Sequence, residues 1–321
     1  MQLGATFSHP HLKWLGIKPQ DAIKEYNKLG LEWIRLGTYW NEVETKEGKY
    51  DFSELDNLVQ YCEKKKIKVV LTVGMRAPRW PEYYLPNWLT QELKLKYIKN
   101  FKLSDKRMTE CTLRLINKTV NHYTTSTAIK VWQAENEPFE PYPSNFKMWW
   151  TINPPLLEKE IEVVTNIDNQ RRILFTSSSF GHGVNKLIKN DVIENVDIVG
   201  LDVYPKHPVV LPIIENFPIY IKNFVKENSY RKLVGKIKRH QKKFWITELQ
   251  AEPWEPGEVL TKKKNPPSFI LEDFEKNLNF ILKLNPEVVL FWGFEYWLYR
   301  KLKKNDDRYW NEAKRVILKY S

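Results

Sequence analysis

The sequence predicts a single α/β domain, a closed barrel of eight parallel strands that alternate with helices. Eight short segments rich in Val, Ile and Leu alternate with longer segments whose apolar residues recur at helical spacing. Polar side chains collect directly after several apolar segments, at the strand ends where barrels of this kind build their sites. No change in composition divides the 321 residues, so residues 1–321 are expected to form one (β/α)8 TIM barrel domain.

The strands and helices follow in chain order from these patterns. Predicted strands cover residues 3–8, 32–37, 68–74, 131–134, 172–179, 196–205, 244–247 and 287–297. Predicted helices cover residues 19–29, 53–65, 104–123, 221–241, 269–284 and 306–320. Gly30 is expected to end the first helix, and Ser53 to cap the start of the second.

Composition and charge exclude several classes of partner. The net charge of +12 comes from lysines that alternate with apolar residues at helical spacing, which indicates solvated helix faces and no nucleic-acid partner. Cys62 and Cys111 have neither metal-ligand nor CxxC spacing, so a reducing compartment is expected. No signal peptide or membrane span is present in the chain, which predicts a cytoplasmic protein without a membrane partner.

Two strands end in glutamates. The segment "VWQAENEP", residues 131–138, begins as a strand and then changes to Glu135, Asn136 and Glu137, and Pro138 is expected to hold Glu137 extended. The segment "FWITEL" places Glu248 at the end of the seventh strand. Two carboxyl groups at one rim of a barrel are the pair that glycoside hydrolysis requires, one as acid and one as nucleophile or base.

In these residues the chain resembles the clan A glycoside hydrolases, the group that contains family 5 cellulases and mannanases and family 42 and family 35 β-galactosidases. In that group an Asn-Glu-Pro after strand four supplies the acid/base, and a Glu after strand seven is the nucleophile. The resemblance therefore implies a retaining β-glycosidase with Glu137 as acid/base, Glu248 as nucleophile and Asn136 on the sugar 2-hydroxyl. The two carboxyl groups should lie about 5 to 5.5 Å apart, as retention requires.

Other residues are expected to support this site. Arg35, inside the apolar second strand, either forms a core salt bridge or keeps Glu248 ionised and oriented. The resemblance implies that Tyr204, after Asp202 on strand six, bonds the nucleophile. It also implies a tryptophan floor for the sugar after strand eight, and the sequence leaves both Trp292 and Trp297 open for this role.

Further candidate sugar contacts lie in the segments that follow strands two, three, five and eight. The aromatic loop "MRAPRWPEYY" either contacts sugar or pins itself down with its aromatic residues. The candidates are Trp40, Arg76, Arg79, Trp80, Tyr83, His182 and Glu295. Strict alternation would put Glu135 and Glu137 on one side of the strand, so either the pleating changes there or Glu135 turns away from the sugar.

Two other functions remain open on the sequence alone. One is a catalytically inactive barrel that binds carbohydrate, and the other is a metal-dependent barrel enzyme such as a sugar isomerase or an endonuclease. None of the 6 histidines has ligand spacing, so neither a metal nor another cofactor is expected. The sequence does not choose among galactose, glucose, mannose and xylose, and it does not predict the oligomeric state.

Overall fold

Eight parallel strands close into a barrel in the computed structural model of this chain. Each strand pairs with its neighbours in the chain, and the last pairs with the first, which confirms the predicted (β/α)8 fold. The structure describes residues 1–95, 105–143, 149–178, 181–209, 219–222, 226–253 and 266–321. The barrel strands are β1 (Gln2–Thr6), β2 (Trp33–Gly37), β3 (Lys68–Thr72), β4 (Ile129–Gln133), β5 (Arg172–Ser178), β6 (Ile198–Val203), β7 (Lys243–Gln250) and β8 (Val288–Trp292).

Helices surround the barrel, and short helices begin several of the connections. They are α1 (His9–Trp14), α2 (Pro19–Asn27), α3 (Trp40–Val43), α4 (Ser53–Lys65), α5 (Asn87–Glu92), α6 (Lys106–Tyr123), α7 (Pro154–Ile167), α8 (His182–Lys189), α9 (Glu227–Arg239), α10 (Asp273–Leu282), α11 (Phe294–Lys303) and α12 (Arg308–Tyr320). None of the helices in the described part of the chain has the length and apolarity that a membrane crossing requires.

The interior of the barrel changes from apolar to polar toward the carboxyl ends of the strands. Side chains alternate along a strand, so every second residue faces inward. Near the amino ends the inward residues form one apolar cluster: Trp33, Val70, Val131, Leu174, Ile198, Trp245, Val288 and Leu290. Two residues further along, five of these strands bear a buried polar residue: Arg35, Thr72, Gln133, Thr176 and Thr247. This polar layer lies directly beneath the strand ends that bear the candidate site.

Two predicted elements differ most from the structure in their boundaries. The predicted helix 221–241 begins only at Glu227, because Ile219–Lys222 pairs in an antiparallel hairpin with Lys206–Val209. The eighth strand ends at Trp292 instead of residue 297, because Gly293 adopts a φ of 152° and α11 starts at the next residue.

The start of helix α4 also differs from the prediction. Ser53 is the first helical residue and not the cap. Its backbone N–H donates to Oδ1 of Asp51 at 2.9 Å, so an upstream carboxylate accepts the hydrogen bond at this helix start.

Candidate active site

Glu137 lies where β4 has left the regular pleat. Its φ of 40° falls in the left-handed region, so the prediction that Pro138 holds it extended is wrong. Two contacts fix this backbone: the Glu137 N–H donates to Oγ1 of Thr176 at 2.9 Å, and the Glu137 carbonyl accepts from Nη1 of Arg76. Such strain persists only where surrounding contacts hold it, and it occurs often at functional sites.

The pleating changes at the end of β4, which was one of the two expectations for this segment, and the Glu135 carboxylate contacts the loop after β3. The carboxylate oxygens accept hydrogen bonds from the backbone N–H of Met75 at 2.9 Å and of Arg76 at 2.7 Å. A Cβ atom at Gly74 would lie 2.2 Å from Cδ of Glu135, so only glycine leaves room for this carboxylate. Glu135 thereby anchors the loop after β3, while Glu137 remains at the strand end.

Glu248 is directed inward by an irregularity in β7. The register of β7 against its neighbours shifts between Ile246 and Glu248, which lets Thr247 and Glu248 both contribute contacts at the strand end. Oε1 of Glu248 accepts from Nη1 of Arg35 at 2.8 Å, and Oε2 accepts from the Tyr204 hydroxyl at 2.6 Å. Each oxygen of Glu248 therefore has its own donor.

Arg35 joins three strand ends. The guanidinium is fully buried and donates to Oε1 of Gln133 at 2.9 Å, to Glu248 and to Oδ1 of Asn136. The ion pair between Arg35 and Glu248 agrees with both predictions for Arg35, because it is a buried salt bridge and it also orients Glu248. Asn136 accepts from Arg35 through its oxygen, and its amide nitrogen, which has two N–H groups, donates to Oε2 of Glu82 at 3.4 Å.

The polar layer beneath the site includes residues that sequence reasoning missed. Gln133 accepts from Thr72 at 3.1 Å and donates to Thr176 at 3.2 Å, which in turn accepts from the backbone of Glu137. Asp202 accepts from the Thr247 hydroxyl, and burial, together with the charge of Glu248, raises the pKa of Asp202 well above its usual range. Gln133 could have been predicted from the sequence. It lies two residues after Val131, and alternate residues of a strand face the same side.

The loop after β3 contributes two arginines to this end of the barrel. Arg76 is fully buried, donates from Nε to Oε2 of Glu82 at 2.7 Å, and has its guanidinium 5.4 Å from the Tyr83 ring. Arg79 pairs with Glu252 and Glu295. The ring of Trp80 is 63% exposed, which leaves it accessible to a ligand.

Trp292 and Trp297, the two candidates for the tryptophan beneath the sugar, differ in their exposure. Trp292 ends the strand, is only partly buried, and has the Arg79 guanidinium 4.3 Å from its ring centroid. Trp297 belongs to α11, is fully buried and donates its N–H to the Ala251 carbonyl at 2.7 Å. Of the two, only Trp292 therefore has a side chain that a ligand can reach.

Besides Arg76, three candidate sugar contacts have no accessible surface. Trp297, Glu295 and Trp40 are each 0% exposed. Glu295 accepts from the Ser8 backbone at 2.5 Å and from Arg79, while the Trp40 N–H donates to Glu44. Their assignment as sugar contacts is corrected, because these side chains pack behind the strand ends.

Two histidines lie just after barrel strands, His9 after β1 and His182 after β5. His182 is exposed at the first residue of α8. His9 forms, with Glu42 and Glu54, a group whose ligand atoms lie within 4.8 Å of one another. In that group Nζ of Lys13 already contacts both carboxylates at 2.8 Å, so a cationic side chain occupies the position of an ion.

A closed eight-stranded barrel with one glutamate after β4 and another near the end of β7 is the arrangement expected from the resemblance to clan A glycoside hydrolases. The family model described as beta-galactosidase, of glycoside hydrolase family 42, matches residues 12–153. This match and the shared barrel confirm the predicted resemblance and the prediction that the chain is a glycosidase. No curated protein matches the chain in sequence.

Several solved structures share the barrel at low sequence identity. Xylanase 10B from Thermotoga maritima has a TM-score of 0.64 and 15% identity, with 99% of this chain and 94% of that chain covered. The β-galactosidase of Halorubrum lacusprofundi has a TM-score of 0.66 and 14% identity, with 99% of this chain and 58% of that chain covered. The β-galactosidase of Bacillus circulans sp. alkalophilus has a TM-score of 0.65 and 12% identity, with 99% and 55% covered. The chain thus spans little more than half the length of these β-galactosidases.

Proposed function

We propose that this protein is a retaining β-glycosidase in which Glu248 is the nucleophile and Glu137 the acid/base. The observation that supports the proposal most directly is the environment of Glu248, whose two oxygens accept from Arg35 and Tyr204. A guanidinium on one oxygen and a phenol on the other fix the orientation of the carboxylate. A nucleophilic carboxylate needs such a fixed orientation.

The reaction proceeds in two displacements. In the first, an oxygen of Glu248 attacks the anomeric carbon and the glycosidic C–O bond breaks, while Glu137 donates its proton to the departing oxygen. In the second, Glu137 takes a proton from water, whose oxygen attacks the anomeric carbon and breaks the bond to Glu248. The sugar leaves with its original configuration, and both glutamates return to their starting states.

Asn136 is the proposed ligand of the sugar 2-hydroxyl. Its oxygen accepts from Arg35 and one N–H of its amide donates to Glu82, so the second N–H is the proposed donor to the hydroxyl. Partly buried Trp292 at the end of β8 and exposed Trp80 in the loop after β3 offer rings for stacking on sugar faces. These positions support a substrate of β-linked sugars, with β-galactosides as the first to assay because of the family match.

Turnover of 4-nitrophenyl β-glycosides of galactose, glucose, xylose and mannose tests the proposal. Glu248→Ala and Glu137→Ala should each lower kcat by at least about 1000-fold, since each removes a group that acts on the reacting atoms. Azide should rescue Glu248→Ala to an α-glycosyl azide and Glu137→Ala to a β-glycosyl azide, which distinguishes the two roles. Exposed Glu162→Ala is the matched control and should keep wild-type turnover.

Carbohydrate binding without turnover by the wild-type protein would favour the inactive binding barrel instead. Inversion of configuration in the product, followed by NMR, would contradict the nucleophilic role of Glu248, because inversion needs water between the sugar and that carboxylate.

A further inference from the structure

Arg76 brings a positive charge close to the proposed acid. Its Nη2 atom lies 4.0 Å from Oε2 of Glu137, and its Nη1 atom donates to the backbone carbonyls of Glu137 and Glu140. An opposite charge at this distance favours the ionised form of a carboxyl group. Glu137 must nevertheless hold a proton if it is to protonate a leaving group, so the effect of Arg76 has to be offset.

Glu82 is the group placed to offset it. Its Oε2 atom accepts from Nε of Arg76 at 2.7 Å, on the edge of the guanidinium that does not face Glu137. The Glu82 side chain is 12% exposed and Arg76 is fully buried, so their charges interact with little screening by water. Glu82 is held in this position by a backbone with a φ of 65°, and its carbonyl accepts from the Ala77 N–H at 3.0 Å.

The surroundings of Glu82 and Glu137 come from several elements. Burial and the charge of Glu248 raise the pKa of Glu82, while Arg76 and the amide of Asn136, 3.4 Å away, act in the opposite direction. Among the described residues, the charged or titratable groups around the two glutamates come from five segments. They are Arg35 from β2, Arg76, Tyr83 and Tyr84 from the loop after β3, Glu135 after β4, Asp202 and Tyr204 from the end of β6, and Glu248 from β7.

We propose that Glu82 is a positioning residue that fixes Arg76 beside Glu137 and offsets its charge, so that Glu137 retains the proton it donates. This inference rests on the proposed function, in which Glu137 is the acid. Arg76 in turn holds the backbone of Glu137 through its carbonyl, so a single guanidinium sets both the orientation and the charge environment of the acid. Without Glu82, the same guanidinium would favour an ionised Glu137.

The variant Glu82→Gln tests the inference because it keeps a hydrogen-bond acceptor for Arg76 but removes the negative charge. The alkaline limb of the kcat/KM profile, which reports the acid in the free enzyme, should move to lower pH by about 1 to 3 units. Turnover of a substrate that needs acid assistance should fall at neutral pH. A dinitrophenyl glycoside, whose leaving group needs no proton, should lose much less. Glu82→Asp, which keeps the charge, should return the limb toward the wild-type position.

Direct titration of Glu137 makes the test independent of any substrate. Carboxyl-labelled protein followed by NMR should show a lower titration midpoint for Glu137 in Glu82→Gln, with the resonance assigned from Glu137→Gln. Arg76→Met should raise that midpoint, and the double variant should bring it back toward wild type, as a thermodynamic cycle of two coupled charges requires. If Glu82→Gln alone does not fold, the comparison of Arg76→Met with the double variant still measures the effect of the Glu82 charge, and the double variant should have the lower midpoint.

Glu44→Gln is the matched control, since Glu44 is a fully buried carboxylate that pairs with Arg114 and Trp40. It should leave the Glu137 midpoint unchanged. The role of Glu82 would be overturned if folded Glu82→Gln had the same Glu137 titration midpoint and the same alkaline limb of kcat/KM as wild type. A wild-type protein that hydrolyses no glycoside, with the midpoint shift present, would instead overturn the proposed function and leave the coupling of Glu82, Arg76 and Glu137 established.

Discussion

Glu160→Gln should make the protein more resistant to unfolding at alkaline pH. Glu160 lies on α7 with no exposed surface, and its carboxyl group faces that of Glu135 beneath the loop after β3. Apart from Glu135, neither oxygen of Glu160 has a hydrogen-bonding partner among the described residues. Two buried carboxyl groups in contact cannot both be ionised at low cost, so the pair must hold a proton.

The sign of the effect follows from the two pKa shifts. Burial raises the pKa of Glu135 to about 8, although two backbone N–H groups and Arg76 oppose the shift, and burial and Glu135 raise the pKa of Glu160 well above its usual range. In the unfolded chain both groups lose their protons near pH 4.5. Between that pH and about 8 the folded state therefore binds more protons than the unfolded state, and stability falls as pH rises. One proton is worth about 1.4 kcal/mol per pH unit, or about 4 kcal/mol from pH 5 to pH 8.

Urea unfolding at several pH values between about 5 and 8 measures this slope. The amide in Glu160→Gln can donate to an ionised Glu135 without a titrating proton. The folded variant should therefore bind at least one proton fewer than wild type, and its free energy of unfolding should fall less steeply with pH. The free energy of unfolding of the variant, relative to that of wild type, should rise by about 4 kcal/mol across that range. Glu162→Gln, an exposed change two residues along α7, should run parallel to wild type. If the free energies of unfolding of wild type and Glu160→Gln change with pH in parallel, the claim that Glu135 and Glu160 hold a proton in the folded state is refuted.

Two further predictions concern the candidate site. Arg35→Met should lower kcat roughly 100-fold or more while the fold is retained by circular dichroism, because Glu248 loses a charged donor at 2.8 Å. Trp292→Ala should raise KM for the sugar with little change in stability. Trp297→Phe should leave KM unchanged but lower the free energy of unfolding by about 1 to 3 kcal/mol, because the Ala251 carbonyl loses a buried donor. A rise in KM for the Trp297 variant instead would reverse their assignment.

The fold and the two strand-end glutamates could be predicted because they depend on local patterns. Apolar strands that end in polar residues can be recognised directly in the sequence. Glu137 follows β4 and Glu248 lies near the end of β7, both at the carboxyl end of the barrel. The rules of regular geometry fail at the same two residues. Glu137 has a positive φ and β7 changes register at Glu248, so the side-chain alternation that a sequence implies does not extend into the site.

Contacts between distant segments could not be predicted in the same way. Nothing in α7 marks Glu160 as a partner of Glu135, since an acidic residue on a helix is ordinarily solvated. Trp40, Glu295 and Trp297 were expected to meet sugar because they follow strands, and they are buried because helices begin at once after β8 and near β2. Sequence order gives the end of the barrel on which a residue lies, but the packing of the following helix decides whether it reaches the cavity.

The two fully buried arginines explain how chemically identical side chains could take opposite roles. Arg35 contacts an oxygen of Glu248 directly, and the contact is supplemented by a phenol on the other oxygen. Arg76 stands 4.0 Å from Glu137 and gives its closer side-chain contact to Glu82. One glutamate thus receives an undivided positive charge and the other a compensated one. Since a carboxyl group responds to nearby charge by changing its proton affinity, this difference in pairing supports the proposed assignment of Glu248 as nucleophile and Glu137 as acid.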